Sequence, residues 1–548
     1  MNLNRSAPLL ILPLLLGCPA KSRSPLFMLG ETAANASMPT DWVQDAYLKA
    51  SNAGTGDWFG ASVAVSGNTI IVGAQNEANN STSINNTDNA VIPDAGTADL
   101  SGAVYVFKKD SAGNWIQDGY IKASNTGPGD GFGRAISISD DIIVVGAPWE
   151  DNNSTVISNS NDGVITDTGI SSDSGSVYVF QKDASGHWYQ DAYLKASNAG
   201  TGDVFGFSVG ISGETIVVGA HQEDNNSTAI NNVNDAAIVD TGTSSSSGAA
   251  YVFKRDDSGN WSPDAYLKAS NSGPDDYFGS SVAIFGDTIV VGAYGEKNSF
   301  TAINNTDNAE IIDAGSATAS GAVYVFKKDD SGNWIQDAYL KASNAGAHDC
   351  FGTHVAIWEN TIVVGAYGEK NSFTGVNNTD NAVITDISTE EEPVGAAYVF
   401  KRDGSGAWIQ DAYLKASNSG AGDGLAAVSI SGDIIVVGAP QEDNSSTIIN
   451  NTDNPSIVDE GTSINSGAVY VFKRDGSGTW VQDAYLKASN ARAEDLFGQA
   501  VAVSGRTIVV GAYREDNASS TINNTDNATV AEEGTATEVG AAYVFTLK

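Results

Sequence analysis

The chain of 548 residues contains only two cysteines, Cys18 and Cys350, and four histidines. That excludes a disulfide-stapled scaffold, a structural zinc cluster and a cysteine-held iron–sulfur centre. Basic residues are scarce: 28 Lys and Arg stand against 66 Asp and Glu, a formal net charge of −38. Nucleic-acid binding needs a basic footprint, which is missing. An anionic membrane surface would repel such a chain. No apolar run reaches the roughly 20 residues of a membrane-spanning helix. No stretch keeps a 3.6-residue apolar period, so helix content is expected to be close to nil. What is plentiful is glycine, at 59 residues, with Asn, Ser and Thr around it. These are the residues of turns between short strands.

The first residues read as an address. Arg5 precedes an apolar run, Pro8 to Leu16, that ends Leu15-Leu16-Gly17-Cys18. A charge followed by a short apolar segment is the pattern of a secretory signal. The ending is similar to a bacterial lipobox, which implies lipidation at Cys18. The expected layout is a signal peptide over residues 1–17, a Ser/Pro/Ala-rich tether over 18–40 and a folded body over 41–548. Such a chain would be exported and lipid-anchored to a bacterial cell envelope, at the outer membrane or cell surface. It would touch the membrane only through the lipid.

A long repeat fills the body. The Tyr of a W-x-Q-D-A-Y-L-K-A-S-N string falls at Tyr47, Tyr120, Tyr193, Tyr266, Tyr339, Tyr413 and Tyr485. Trp42, Trp115, Trp188, Trp261, Trp334, Trp408 and Trp480 keep the same register. A fixed period of this size means an array or a propeller. Each unit holds four strand-like runs, in the first unit Phe59–Ser66, Thr69–Ala74, Gly102–Lys108 and Trp115–Ala123. Four antiparallel strands, repeated around a ring, predict an all-β, seven-bladed β-propeller. The last unit stops after its third strand, at Gly540 to Lys548, and the missing fourth exists as Trp42–Ala50. Pairing these two ends would close the ring and protect both edges.

The string F-G-x-S-V-A-x-S-G-x-T-I-V-V-G-A-P resembles the FG-GAP repeat of integrin α-chain propellers, and the chain looks like the bacterial integrin-like FG-GAP proteins. The pieces are Phe59-Gly60, Phe132-Gly133, Phe205-Gly206, Phe278-Gly279, Phe351-Gly352 and Phe497-Gly498, each followed by a Gly-Ala. The sixth unit departs: it is one residue short and has Leu425 where Phe-Gly should be. The resemblance implies the propeller fold; it names no ligand, because propellers host many activities. The D-x-D-x-D-G calcium loop of integrins does not carry over, since the turn between the first two strands is only a few residues long.

Between the second and third strands each unit instead carries an insert of about 27 residues, with 34 acidic residues against three basic ones over the seven. The string N-N-T-D-N recurs in five of them. Loop topology places all the inserts, with the inter-blade Asp57, Asp130, Asp203, Asp276, Asp349, Asp423 and Asp495, on one acidic face. Two readings stay open. Carboxylates and amides are what calcium takes. The candidate ligands are Asp88; Glu150, Asp151 and Asp162; Glu223, Asp224 and Asp235; Asp307; Asp380; Glu442, Asp443 and Asp453; and Glu515, Asp516 and Asp526. The other reading is a solvated acidic surface shaped by turn residues.

No catalytic set is expected. Cys350 beside His348 and His354 reads as loop variation, and Arg134, Arg492 and Arg506 form no cluster. The expected function is a non-enzymatic surface module for adhesion or binding, whose acidic face meets a protein or glycan ligand. The alternatives are a structural envelope lipoprotein and a propeller enzyme of glycosidase type. The last needs blade-specific polar residues at the channel, against which the near-identity of the units argues.

Overall fold

A computed structural model describes residues 41–548, apart from short insert segments at 94–97, 164, 166–168, 233–237, 239–242, 313–315, 386–391, 459–462, 532, 533 and 535. The signal peptide, Cys18 and the tether therefore lie outside the described residues.

Seven antiparallel sheets form the body, and no helix occurs among the described residues. In the first blade the inner strand is Phe59–Ser66, the second Thr69–Ala74, the third Ala103–Lys109 and the outer Trp115–Ile121. The second strand is continuously apolar because both its faces are covered by neighbouring blades: Ile70, Ile71 and Val72 are fully buried. Each core cluster joins adjacent blades, as where Val509, Ala542 and Val544 of the last blade pack with Val72 and Tyr105 of the first.

Ring closure is as the chain ends imply. Trp42–Leu48 is the outer strand of the last blade and pairs antiparallel with Ala541–Leu547, from Trp42 opposite Leu547 to Leu48 opposite Ala542.

The Phe-Gly and Gly-Ala pairs are the seam between blades. Phe132 bridges in parallel to Gly102 of the preceding blade, and its ring meets Tyr178 and Phe180 edge-on at 5.4 and 5.9 Å. Gly60 has φ +93°, and a Cβ there would lie 2.3 Å from the Ala541 carbonyl oxygen. A Cβ on Gly73 would lie 2.3 Å from the Gly133 carbonyl oxygen. Backbone approaches this close leave glycine as the residue that fits. In the sixth blade Leu425 takes the place of Phe, bridging to Gly395, and Ala426 donates to the Gly438 oxygen as Gly133 does to Gly146. The missing residue is the one that follows Phe-Gly elsewhere.

Candidate functional site

The inserts do not all stay on one face. Asn85 pairs in an antiparallel bridge with Tyr120 of its own outer strand, and Asn89 donates to the Gln117 oxygen at 2.9 Å. The insert thus runs down the rim of the disc as a strap, toward the third-to-outer-strand hairpin. Asp88 arrives there beside Lys108, at 2.9 Å. The acidic face expected from loop topology is corrected accordingly: the topology gave where each insert leaves the blade, while its backbone groups pair along the exposed strand edge.

The strap also latches the next blade. Asn86 accepts from the Trp188 N–H at 2.7 Å and donates to the Trp188 oxygen at 3.0 Å. The Trp188 indole donates to Asp118 of the strap's own blade at 3.0 Å. The same Asn–Trp latch recurs around the ring, and its last members, Asn451 on Trp42 and Asn524 on Trp115, span the closure.

Every described calcium candidate has a partner inside the protein. Glu150, Glu223, Glu442 and Glu515 are buried and pair with Lys195, Lys268, Lys487 and Lys49 at 3.0–3.3 Å. Glu77, Glu296 and Glu369 pair likewise with Lys122, Lys341 and Lys415. Lys122 shows the full set: its ammonium donates to Glu77, to the Ser101 hydroxyl and to the Gly102 carbonyl at 3.0, 2.9 and 2.6 Å. Glu77 also accepts from the Tyr120 hydroxyl and from Asn52, which lies in the turn after the preceding outer strand. Burial pulls the Lys122 pKa down, against the opposing pull of Glu77.

Asp151, Asp224, Asp443 and Asp516 each accept a backbone N–H 22 residues on, and Asp162 accepts from the Gln190 N–H. Asp307, Asp380, Asp453 and Asp526 pair with Lys327, Lys401, Lys473 and Lys548. Asp235 lies outside the described residues. Among the described residues no three His, Cys, Asp or Glu side chains converge on a point where a metal could sit. The inter-blade aspartates are turn formers: Asp57 accepts from the Gly54 N–H at 2.8 Å, and its equivalents repeat this.

With the repeated residues committed to the scaffold, the blades differ at one end of the central channel. The residue after Phe-Gly is Ala61, Arg134, Phe207, Ser280, Thr353 and Gln499 in turn. The residue after Gly-Ala is Gln75, Pro148, His221, Tyr294, Tyr367, Pro440 and Tyr513. Together with Tyr277, which precedes Phe278-Gly279, they build an aromatic arc. Arg134 lies over the Phe207 ring at 4.6 Å, Phe207 meets His221 at 4.0 Å, His221 meets Tyr277 at 5.8 Å, and Tyr277 stacks on Tyr294 at 5.0 Å. The channel holds a cavity of about 380 Å³, with Arg134, Tyr294, His354 and Gln499 in its wall. Burial, with the Arg134 charge adding to it, lowers His221 and His354 to about 4. Burial pushes Tyr294 up to about 12 and the Cys350 thiol up to about 11. A thiol so held is protonated at neutral pH and a poor nucleophile.

Shallow clefts of about 590, 360 and 510 Å³ recur on the rim, lined by strap residues beside Trp115, Trp334 and Trp480. They repeat with the scaffold, whereas the channel cavity does not. The blade-specific polar residues at the channel are what the near-identity of the units argued against. Aligning the units position by position shows them in the sequence; a search for an arginine cluster passes over Arg134.

Fold and site together define a closed, seven-bladed propeller with an individual channel end. The FG-GAP repeat family model matches residues 42–107, 115–180, 188–232, 261–326, 334–400 and 480–545, well over half the chain, and the chain belongs to that family. The matched segments leave out the unit that carries Leu425. No curated protein matches the chain.

Proposed function

We propose that this protein is a non-enzymatic binding module, exported and lipid-tethered through Cys18 at a bacterial cell surface. It contacts a protein or glycan ligand with the end of the disc onto which the channel opens. One observation carries the reading: the units agree wherever a side chain holds the scaffold and diverge at the half-buried aromatic and polar positions around the channel. Aromatic side chains that are part buried and part exposed are the usual anchors of recognition surfaces. The contact needs no calcium in this reading, because lysines and backbone groups engage each described candidate ligand named above.

The test is binding of the purified protein to glycan and surface-protein arrays, in calcium and in chelator. Tyr277→Ala with Tyr294→Ala should lower binding at least tenfold, with the thermal midpoint within about 4 °C of wild type. Equal binding by the double variant would place the contact elsewhere and overturn the reading. Cys18→Ser should move the protein from the membrane to the soluble fraction.

A further inference from the structure

The chain carries 66 acidic residues, yet among the described residues no Asp or Glu lines the channel cavity. The one charged residue among its described lining is Arg134. The Arg134 guanidinium makes no hydrogen bond or ion pair with any described residue; it lies over the Phe207 ring, and Tyr513 is the neighbour that favours its charge. Elsewhere in the described protein basic side chains are paired again and again, as the seven buried lysines are. Arg134 is half-buried and its guanidinium opens onto the channel with no carboxylate to pair it, so its charge is left to water or to an anion that enters there. Two further groups point the same way: Nδ1 of His354, in the wall, and Nδ1 of His221, against Phe207, are buried with no hydrogen-bond partner.

We propose that the channel cavity is a binding site for a carboxylate of about monosaccharide size, with Arg134 as the charge-pairing residue. The planar guanidinium fork matches a carboxylate through two parallel hydrogen bonds. A single cation between neutral imidazoles compensates one negative charge, which favours a monoanion over phosphate dianion. A volume of about 380 Å³ is at the small end of ligand sites, enough for one sugar-sized residue. Phe207 and Tyr294 offer apolar walls, and the serines and Gln499 offer partners for hydroxyls. The carboxylate could be carried by a free acid or by the terminal residue of an acidic glycan; the chemistry at Arg134 is shared.

The inference deepens the reading of the channel end as the contact surface, and its test is separable from that one. The full-length protein is titrated calorimetrically with glucuronate, glucose and inorganic phosphate, as wild type and as Arg134→Gln. Glucuronate should bind saturably, glucose not measurably, phosphate at least tenfold more weakly, and Arg134→Gln should weaken glucuronate at least tenfold. Because the Arg134 guanidinium makes no hydrogen bond or ion pair with a described residue, the variant should keep its thermal midpoint. Glucuronate binding equal in the variant, or glucose or phosphate binding as well as glucuronate, would overturn the proposal. So would no glucuronate binding at all, even if the array contact through Tyr277 and Tyr294 stands. A glucuronate-terminated oligosaccharide separates the sources: binding as tight as the free acid assigns a glycan end, and binding of the free acid alone assigns a small metabolite.

Discussion

Lys122 sits where a long charged side chain is seldom found, with none of its ammonium exposed and all three donors used. Its value lies in what its loss leaves behind. Lys122→Met strands Glu77 as a buried carboxylate, and breaking such a pair costs about 3–5 kcal/mol. Glu77→Gln strands the lysine instead, with a similar penalty. The double change Lys122→Met with Glu77→Leu removes both charges and should recover more than half of the loss. Urea unfolding of the three variants measures this; a double variant as unstable as the sum of the singles would show that the charges themselves are needed. The Y-L-K-A-S-N string was visible as a repeat, but its chemistry was not. Lys122 and Glu77 are 45 residues apart, and the counterparts Glu150, Glu223, Glu442 and Glu515 looked like cation ligands because composition shows a carboxylate and hides its partner.

The strap is the element least legible in the sequence. In the first unit the strand boundaries could be read to within two residues, since alternation and turn residues are local signals. The course of N-N-T-D-N could not, because Asn86 meets Trp188 across 102 residues and one blade boundary. Asn86 acts there as a third piece of backbone, with its amide accepting and donating as an adjacent strand would. Asn86→Ala removes both bonds and leaves the Trp188 N–H and carbonyl unpaired in a half-buried place. The cost should be about 1–3 kcal/mol. Because both bonds of the Asn86 amide go to Trp188 of the next blade, the effect should be local. Hydrogen exchange should speed up at residue 188 and along the strap while the amides of the opposite blades keep their protection. Faster exchange spread evenly round the ring would mean that the latch holds the whole closure rather than one seam.

At the scale of the whole molecule, closure depends on a strand taken from the other end of the chain. Trp42–Leu48 supplies the last blade with its edge, and more: Tyr47 and Lys49 satisfy Glu515 at 2.9 and 3.0 Å, and the Trp42 indole satisfies Asp483 at 2.9 Å. Removing residues 41–50 would expose the edge of Ala541–Leu547, strand Glu515 without its lysine and release the Asn451 latch. An exposed strand edge beside an uncompensated buried carboxylate is both unstable and sticky. A chain without these residues should aggregate, or unfold over a broadened transition instead of one cooperative step. A synthetic peptide of residues 40–53 added in excess should restore the cooperative transition, because it returns the hydrogen bonds, the lysine and the tryptophan together. The same peptide with Lys49→Met and Trp42→Ala keeps the backbone ladder and should restore little. If that altered peptide rescued equally well, strand pairing alone would be closing the ring, and the buried ion pair and the Trp latch would be incidental to it.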